Sequence, residues 1–344
     1  MSNHKKINEL SIISYRKLKN VNLTDLKTIN VFSGINNSGK TSVLEVIGLM
    51  SDIESRYNFQ KWALIRSPWS NGYKKNIVDY MSGVFPNSDD KLGDISVDIF
   101  INKLKHSVII KGEKENVVSS IGKISKSLKV SVNDFKSEKP KIFKFKDGGR
   151  ENFKIENTHL FDLAYVMVEE DFYAKSVTYF SNALHAQQKE ELMKLMHDFD
   201  KNIEDIFLDE TGDIYIQNAV SGVLPLFAYG SGMQKAFLLA TILSNDGLDV
   251  IMVDEIDSAL NITALKDVLT WFVNSCRKHE VQAFITTHNA EAIDAILDNV
   301  DNDNDDIRII TMRNQNNAGN TVVKSLNGIE ARQYRTDYEM ELRI

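Results

Sequence analysis

The sequence predicts an α/β fold, a mixed sheet with covering helices that also carries an antiparallel β lobe and a helical lobe. Three observations predict it. A short apolar strand, "TINVFSG", runs through a glycine loop into a helical pattern. In the last third, "VIMVDEID" and "AFITTH" alternate with helical segments, as parallel strands with covering helices do. Between these regions, residues 94–153 break into "DISVDIFI", "SVII", "SLKVSV" and "KIFKF", short β-like runs separated by Lys-, Gly- and Asn-rich turns, the texture of an antiparallel lobe.

In chain order, "INELSIISYRKLKNVNL" alternates loosely and reads as the opening strands. After the glycine loop, residues 42–51 carry Val43, Leu44, Ile47 and Met50 at helical spacing. Residues 182–207 are expected to be helical, with Leu184, Leu192, Leu195, Met196, Phe199, Ile203 and Ile206 on one face. The expected organisation is a single domain over 1–344. Within it, 1–93 carries the glycine loop, 94–160 is an inserted β lobe, 161–235 is a helical lobe and 236–344 holds the last strands.

At 344 residues, with 42% hydrophobic and 26% charged content, the chain can bury a sizeable core. The formal charge of -7 argues against a uniformly basic nucleic-acid binder. A local positive patch remains open, because Lys103, Lys105, Lys111, Lys123, Lys126, Lys129, Lys141, Lys144 and Lys146 crowd the β lobe. With no aromatic platform interleaved, a solvated sheet face is the simpler reading. Cys276, the single cysteine, excludes an internal disulfide and reads as a helical core residue. The opening "MSNHKKINELSII" lacks a long apolar core and no run of eighteen apolar residues occurs, so a cytoplasmic protein without a membrane partner is expected.

The chemistry begins in "VFSGINNSGKTSVLEVI", where Gly34, four residues, Gly39, Lys40 and Thr41 match the P-loop spacing. The two glycines allow a tight turn, so the backbone of Gly34, Asn36, Asn37, Ser38 and Gly39 can present N–H groups inward to phosphate, with the helix N-terminus behind them. Lys40 is then placed to neutralise the β and γ phosphates of a nucleoside triphosphate, Thr41 to coordinate Mg²⁺ and Ser42 to donate to the α phosphate. In "DVIMVDEID" an apolar strand delivers Asp254, a candidate for the Mg²⁺ shell, and Glu255, which would polarise the attacking water. "FITTHNAEAID" ends a further strand at His288, positioned to hydrogen-bond the γ phosphate. The catalytic candidates are therefore Glu255, His288 and Lys40.

A second anion-binding end appears in "AYGSGMQKAFLLATIL", where Ser231, Gly232 and Gln234 precede an apolar helix starting near Met233. One phosphate site does not need two such ends. A homodimer, or a higher homo-oligomer, resolves this if the second end of one subunit closes on the γ phosphate held by the other.

These residues, in this order, resemble the ATPase head of the ABC superfamily, in its SMC, RecF and OLD (overcoming lysogenization defect) branch. "GINNSGKTS" is similar to Walker A, "YGSGMQK" to the signature motif, "VIMVDEID" to Walker B, "SALN" (258–261) to the D-loop and "TTH" to the switch histidine. The opening strands and the closing "ARQYRTDYEMELRI" resemble the ends of small OLD-like heads. The signature "GSGMQ" departs from the leucine-led glycine pair of transporters, Asn261 stands where many relatives carry His, and Gln60 is the nearest candidate for the Q-loop glutamine. No long heptad tract marks a coiled-coil arm, and the 56 residues after His288 leave no space for a Toprim nuclease domain.

The resemblance implies a P-loop NTPase fold and an ATPase that uses ATP and Mg²⁺, dimerises on ATP and controls a separate effector, a nuclease or toxin in anti-phage defence. Two alternatives are a RecF-like repair ATPase gripping DNA through the lysine-rich lobe, and a nucleotide-sensing scaffold without turnover. No Asn-Lys-x-Asp element for reading guanine occurs, and Arg16 and Lys17 are candidates to lie near the nucleotide.

Overall fold

The computed structural model describes residues 4–65, 77–88, 91–118, 124–134, 139–146, 159–167, 172–301, 303, 305–314, 321–338 and 342. The chain opens with an antiparallel hairpin, β1 (Ile7–Tyr15) and β2 (Leu18–Leu23), turned at Arg16 with a left-handed φ of 50°. β3 (Ile29–Ser33) follows and is buried along its whole length, as a strand covered on both faces must be. It leads through the glycine loop into α1 (Lys40–Ser51), then α2 (Arg56–Leu64) and α3 (Ile77–Ser82). Ser55 caps α2 by accepting from Asn58 N.

A short pair, β4 (Asn87–Ser88) and β5 (Lys91–Leu92), precedes β6 (Ile95–Ile101), β7 (Leu104–Val118), β8 (Ile124–Asp134) and β9 (Lys141–Lys146). The long strands form an antiparallel sheet in the order β2-β1-β6-β7-β8-β9. The strands expected as an inserted lobe thus continue the sheet begun by the opening hairpin. Alternation along β6 buries Ile95, Val97, Ile99 and Ile101 on a single face.

β10 (Leu163–Val166) then leads to α4 (Phe172–His185), α5 (Lys189–Phe199), β11 (Ile203–Leu208), β12 (Ile214–Asn218), β13 (Gly222–Pro225) and α6 (Ser231–Leu243). The single helix expected over 182–207 is corrected here to two helices and a strand. Gln187 at φ 59° breaks the first helix from the second, and Ile203 and Ile206, at spacing a helix would also use, enter the small antiparallel sheet β11-β12-β13. The expected helical lobe therefore contains strands, and α6 begins at Ser231, ahead of Met233.

The last part comprises β14 (Val250–Val253), α7 (Ile262–Lys278), β15 (Gln282–Thr286), α8 (Ala290–Leu297), β16 (Ile307–Asn314), β17 (Thr321–Asn327) and α9 (Gly328–Tyr338). A second large sheet has the order β10-β14-β15-β3-β16-β17, parallel except for its last strand. Its alternating side chains serve two cores. Phe32, Val250, Met252 and Phe284 pack with α1 and the antiparallel sheet, whereas Val31, Ile251, Val253, Ala283 and Ile285 pack with α4 to α8. Cys276 lies in this second core, where burial pushes its thiol pKa well up.

Because β3, β14 and β15 run parallel and adjacent, their carboxyl ends emerge on the same edge, where ligands of open α/β sheets bind.

Candidate functional site

The loop after β3 holds its shape through residues that tolerate left-handed backbone: Gly34 at φ 136°, Asn37 at φ 65° and Gly39 at φ 100°. A Cβ on Gly34 would meet the carbonyl oxygen of Met312 at 2.3 Å, and one on Gly39 would meet the Leu18 side chain at 2.6 Å. Asn36 and Asn37 are exposed on the loop, while Ser38, Lys40 and Ser42 are buried. Lys40 Nζ donates to the loop's own carbonyls, Gly34 O at 2.8 Å and Ile35 O at 3.1 Å. Burial holds its pKa below the usual lysine range against the opposing pull of Asp254, Glu255 and Asp257, so these carboxylates face the ammonium.

From the neighbouring strand ends come the acids. Thr41 Oγ1 donates to Asp254 Oδ1 at 3.1 Å and lies 3.2 Å from Oδ2, so the hydroxyl and carboxylate expected at a metal share one spot. Asp254 is also held by Thr286, whose Oγ1 donates to Oδ1 at 2.5 Å while accepting from Glu255 N at 2.8 Å. Glu255 sits at φ 46° and is half-buried. His288 Nδ1 lies 3.8 Å from Glu255 Oε1 on an exposed ring. Thr287 Oγ1 donates to Asp257 Oδ1 at 2.5 Å, which pins the turn after β14 to the turn after β15.

The start of α6 is different in character. Ser231 is exposed, Gly232 is buried, and the helix has no side-chain cap, so its first amides have no partner from the capping residue. Gln234 Nε2 donates back to Tyr229 O at 2.7 Å and so braces the loop that precedes the helix. Lys235, next in line, reaches the 256–258 segment.

Fit can be judged from the chain's own atoms. Ser38 Oγ is fully buried and lacks a hydrogen-bond partner, an orphaned donor inside the loop of the kind a phosphate oxygen would satisfy. The glycines leave no Cβ in the way, and Thr41 with Asp254 offers the hard oxygen donors that Mg²⁺ takes. The residues present therefore fit a Mg²⁺-bound triphosphate.

Other expectations fall elsewhere. Gln60 lies on α2, not on any loop of the carboxyl edge. Arg16 donates from Nε to buried Glu45 at 2.8 Å, joined by the Tyr15 hydroxyl at 2.9 Å, and thereby braces α1. Five lysines of the predicted patch pair with neighbouring acids, Lys105 with Asp98, Lys111 with Asp94, Lys126 with Asp79, Lys129 with Glu113 and Lys141 with Glu54, while Lys103, Lys144 and Lys146 stand exposed. Lys123 lies outside the described residues. Among the described residues, no helix is long and apolar enough to cross a membrane.

Sequence reasoning placed Thr286 and Thr287 at a strand exit without giving their hydroxyls a role, and passed over Asp257 and Lys235. A usable signal existed for Lys235, the lone charge in the largely apolar run "MQKAFLLATIL".

The parallel sheet, the glycine loop and the paired acids at its edge define a P-loop NTPase fold. Residues 29–294 match the family model described as "AAA domain, putative AbiEii toxin, Type IV TA system", and the chain belongs to that family. It is similar to an ATP/GTP phosphatase of Helicobacter pylori, with 22% identity over 328 residues that span 86% of this chain and 88% of that protein. In fold it is similar to an Smc head crystallised with the C-winged helix domain of ScpA, with a TM-score of 0.54 and 13% identity, covering 95% of this chain and 99% of that one.

Proposed function

We propose that the protein binds and hydrolyses ATP with Mg²⁺, that two copies close on the nucleotide, and that closure controls a separate effector, a nuclease or toxin. The observation that carries the catalytic part is the convergence of Lys40, Thr41, Asp254, Glu255 and His288 at one sheet edge, with Thr41 and Asp254 already 3.1 Å apart. The similarity to an ATP/GTP phosphatase supports a hydrolytic reaction. The family's description, with its toxin and toxin–antitoxin system, supports the effector part. Defence against phage is the setting proposed for this control.

In the proposed reaction the loop amides, the Lys40 ammonium and the Ser38 and Ser42 hydroxyls grip the triphosphate. Thr41 and Asp254 would hold Mg²⁺, which would supply Lewis acidity toward the phosphate oxygens. Glu255 orients water in line with the γ phosphorus and takes its proton as the new P–O bond forms and the bond to the leaving ADP oxygen breaks. His288 donates to a γ-phosphate oxygen. Ser231 and the open start of α6, with Gly232 and Gln234 behind it, would approach that phosphate from the second copy.

Replacing Glu255 with Gln tests this. ATP should still bind, and the solution mass should double with ATP and stay doubled, while turnover falls by about 10²–10⁴-fold. Turnover equal to that of the unmodified protein would remove Glu255 from the proposed role. A mass unchanged by ATP in both proteins would remove the dimer.

A further inference from the structure

The turn that follows β14 makes two kinds of demand on its carbonyls. Glu255 and Ala259 both adopt left-handed backbone, at φ 46° and 61°. Glu255 O accepts from Ser258 N at 2.8 Å and Asp257 O from Leu260 N at 3.2 Å, so these two carbonyls are satisfied inside the turn. The carbonyls between and after them, those of Ile256 and Ser258, both accept from the Lys235 ammonium, the second at 3.0 Å. Lys235 Nζ lies 3.3 Å from Ser258 Oγ as well.

Lys235 is 3% exposed and stands in the first turns of α6, close after Ser231. The Phe172 ring of α4 lies 5.5 Å from Nζ, and the charges that face the ammonium are those of Asp257 and Glu255. Burial of a cation is costly unless its donors are filled and opposite charge is near. Here both conditions are met, yet desolvation still lowers its pKa to about 8. Packing alone does not require this, since a methionine has similar length and no desolvation cost. What the ammonium adds is a fixed link between α6 and three oxygens of the turn. The neighbouring Gly232 tightens that link, because a Cβ there would lie 2.8 Å from Ala264 Cβ, so the start of α6 abuts α7 without slack.

We propose that Lys235 is a positioning residue that couples the start of α6 to the 254–261 turn, so that engagement of Ser231 sets the orientation of Glu255 without altering the grip of the glycine loop on nucleotide. The proposal deepens the catalytic reading above and rests on it for its kinetic consequence. Its structural half stands independently, since the link exists in the chain itself.

The test therefore has two arms, using Lys235→Met. In the nucleotide-free protein, hydrogen exchange of a peptide covering 255–261 should quicken by about tenfold or more, while a peptide covering 40–51 keeps its protection. In turnover assays kcat should fall by about 10–100-fold with KM for ATP within about threefold, the pattern of a lost transition-state contribution. Unchanged protection of 255–261, or a raised KM with kcat retained, overturns the proposal. If the Met variant does not fold, Lys235→Gln, which keeps a neutral donor, replaces it under the same two readings, and wild-type values in both overturn the proposal equally. An unmodified protein without turnover strikes the catalytic reading, and the exchange arm then decides Lys235 by itself.

Discussion

One hydroxyl, that of Thr286, serves both acids of the site. It donates to Asp254 Oδ1 and accepts from the Glu255 N–H, and it is fully buried while doing so. Glu255 needs that support because its left-handed backbone costs on the order of 1–3 kcal/mol and persists only where surroundings enforce it. Valine at position 286 would keep the shape and delete the hydroxyl. A buried carboxylate oxygen and an amide would then lose a shared partner, at about 1–3 kcal/mol. On the proposed reaction, Thr286→Val is expected to lower kcat by about 10–100-fold while ATP affinity, assigned there to the glycine loop, moves less than about threefold. A steady-state assay with equilibrium nucleotide binding checks this, and an unaltered kcat would show that Glu255 holds its orientation without Thr286. In the sequence the pair "TT" was visible only as a strand exit, since nothing in its own spacing says that its hydroxyls meet residues some thirty positions away.

At the scale of elements, α1 follows directly on the glycine loop and α2 locks α1 in place. Gly48 marks the contact: a Cβ there would fall 2.1 Å from the Trp62 ring. Two effects oppose each other when Gly48 becomes Ala. Helix propensity favours Ala by about 1 kcal/mol, whereas overpacking costs about 1–3 kcal/mol and more when a rigid ring must move. The clash decides the sign, because an indole wedged against a helix backbone cannot swing aside as a flexible chain would. Gly48→Ala should therefore lower the melting midpoint, at roughly 2–4 °C per kcal/mol for a chain of this class, and scanning calorimetry reads it directly. A raised midpoint would mean that propensity outweighs contact. Periodicity served unevenly at this scale. It placed β3, β14 and α1 correctly, because each is apolar at a single period, and it misjudged 182–207, where the apolar spacing of Ile203 and Ile206 suits either a helix or a short strand.

For the whole molecule, the decisive arrangement is two sheets stacked over one core with α1 between their layers. Gln282 joins the sheets. Its Oε1 accepts from Ile7 N at 2.8 Å, and its Nε2 donates to Ile7 O at 2.8 Å and Lys27 O at 2.9 Å, so a residue opening β15 completes the hydrogen bonding of β1. Leu at 282 would take this partner from the buried Ile7 N–H and C=O, at about 1–3 kcal/mol each, while Lys27 O keeps the Asn30 Nδ2 donor at 2.6 Å. Gln282→Leu should reduce global stability by several times the cost of a surface substitution, with loss in both sheets together. Denaturant unfolding followed by hydrogen exchange in β1 and β15 measures it, and a variant as stable as the parent would show that the stacking does not depend on this link.

The sequence by itself determined the glycine loop, the acids of β14, the histidine after β15 and the class of fold. Each of these is written in a local pattern: glycines where the backbone must turn left-handed, and an apolar run ending in a charge. Only the tertiary structure decided that Lys105, Lys111, Lys126, Lys129 and Lys141 of the lysine-rich strands meet neighbouring acids, that Arg16 braces Glu45, and that Lys235 fastens α6 to the turn bearing Glu255. The physical reason is reach. A hydrogen bond or ion pair acts over about 3–4 Å in space, and which distant residues come within that span is set by how the sheets stack and not by any period along the chain.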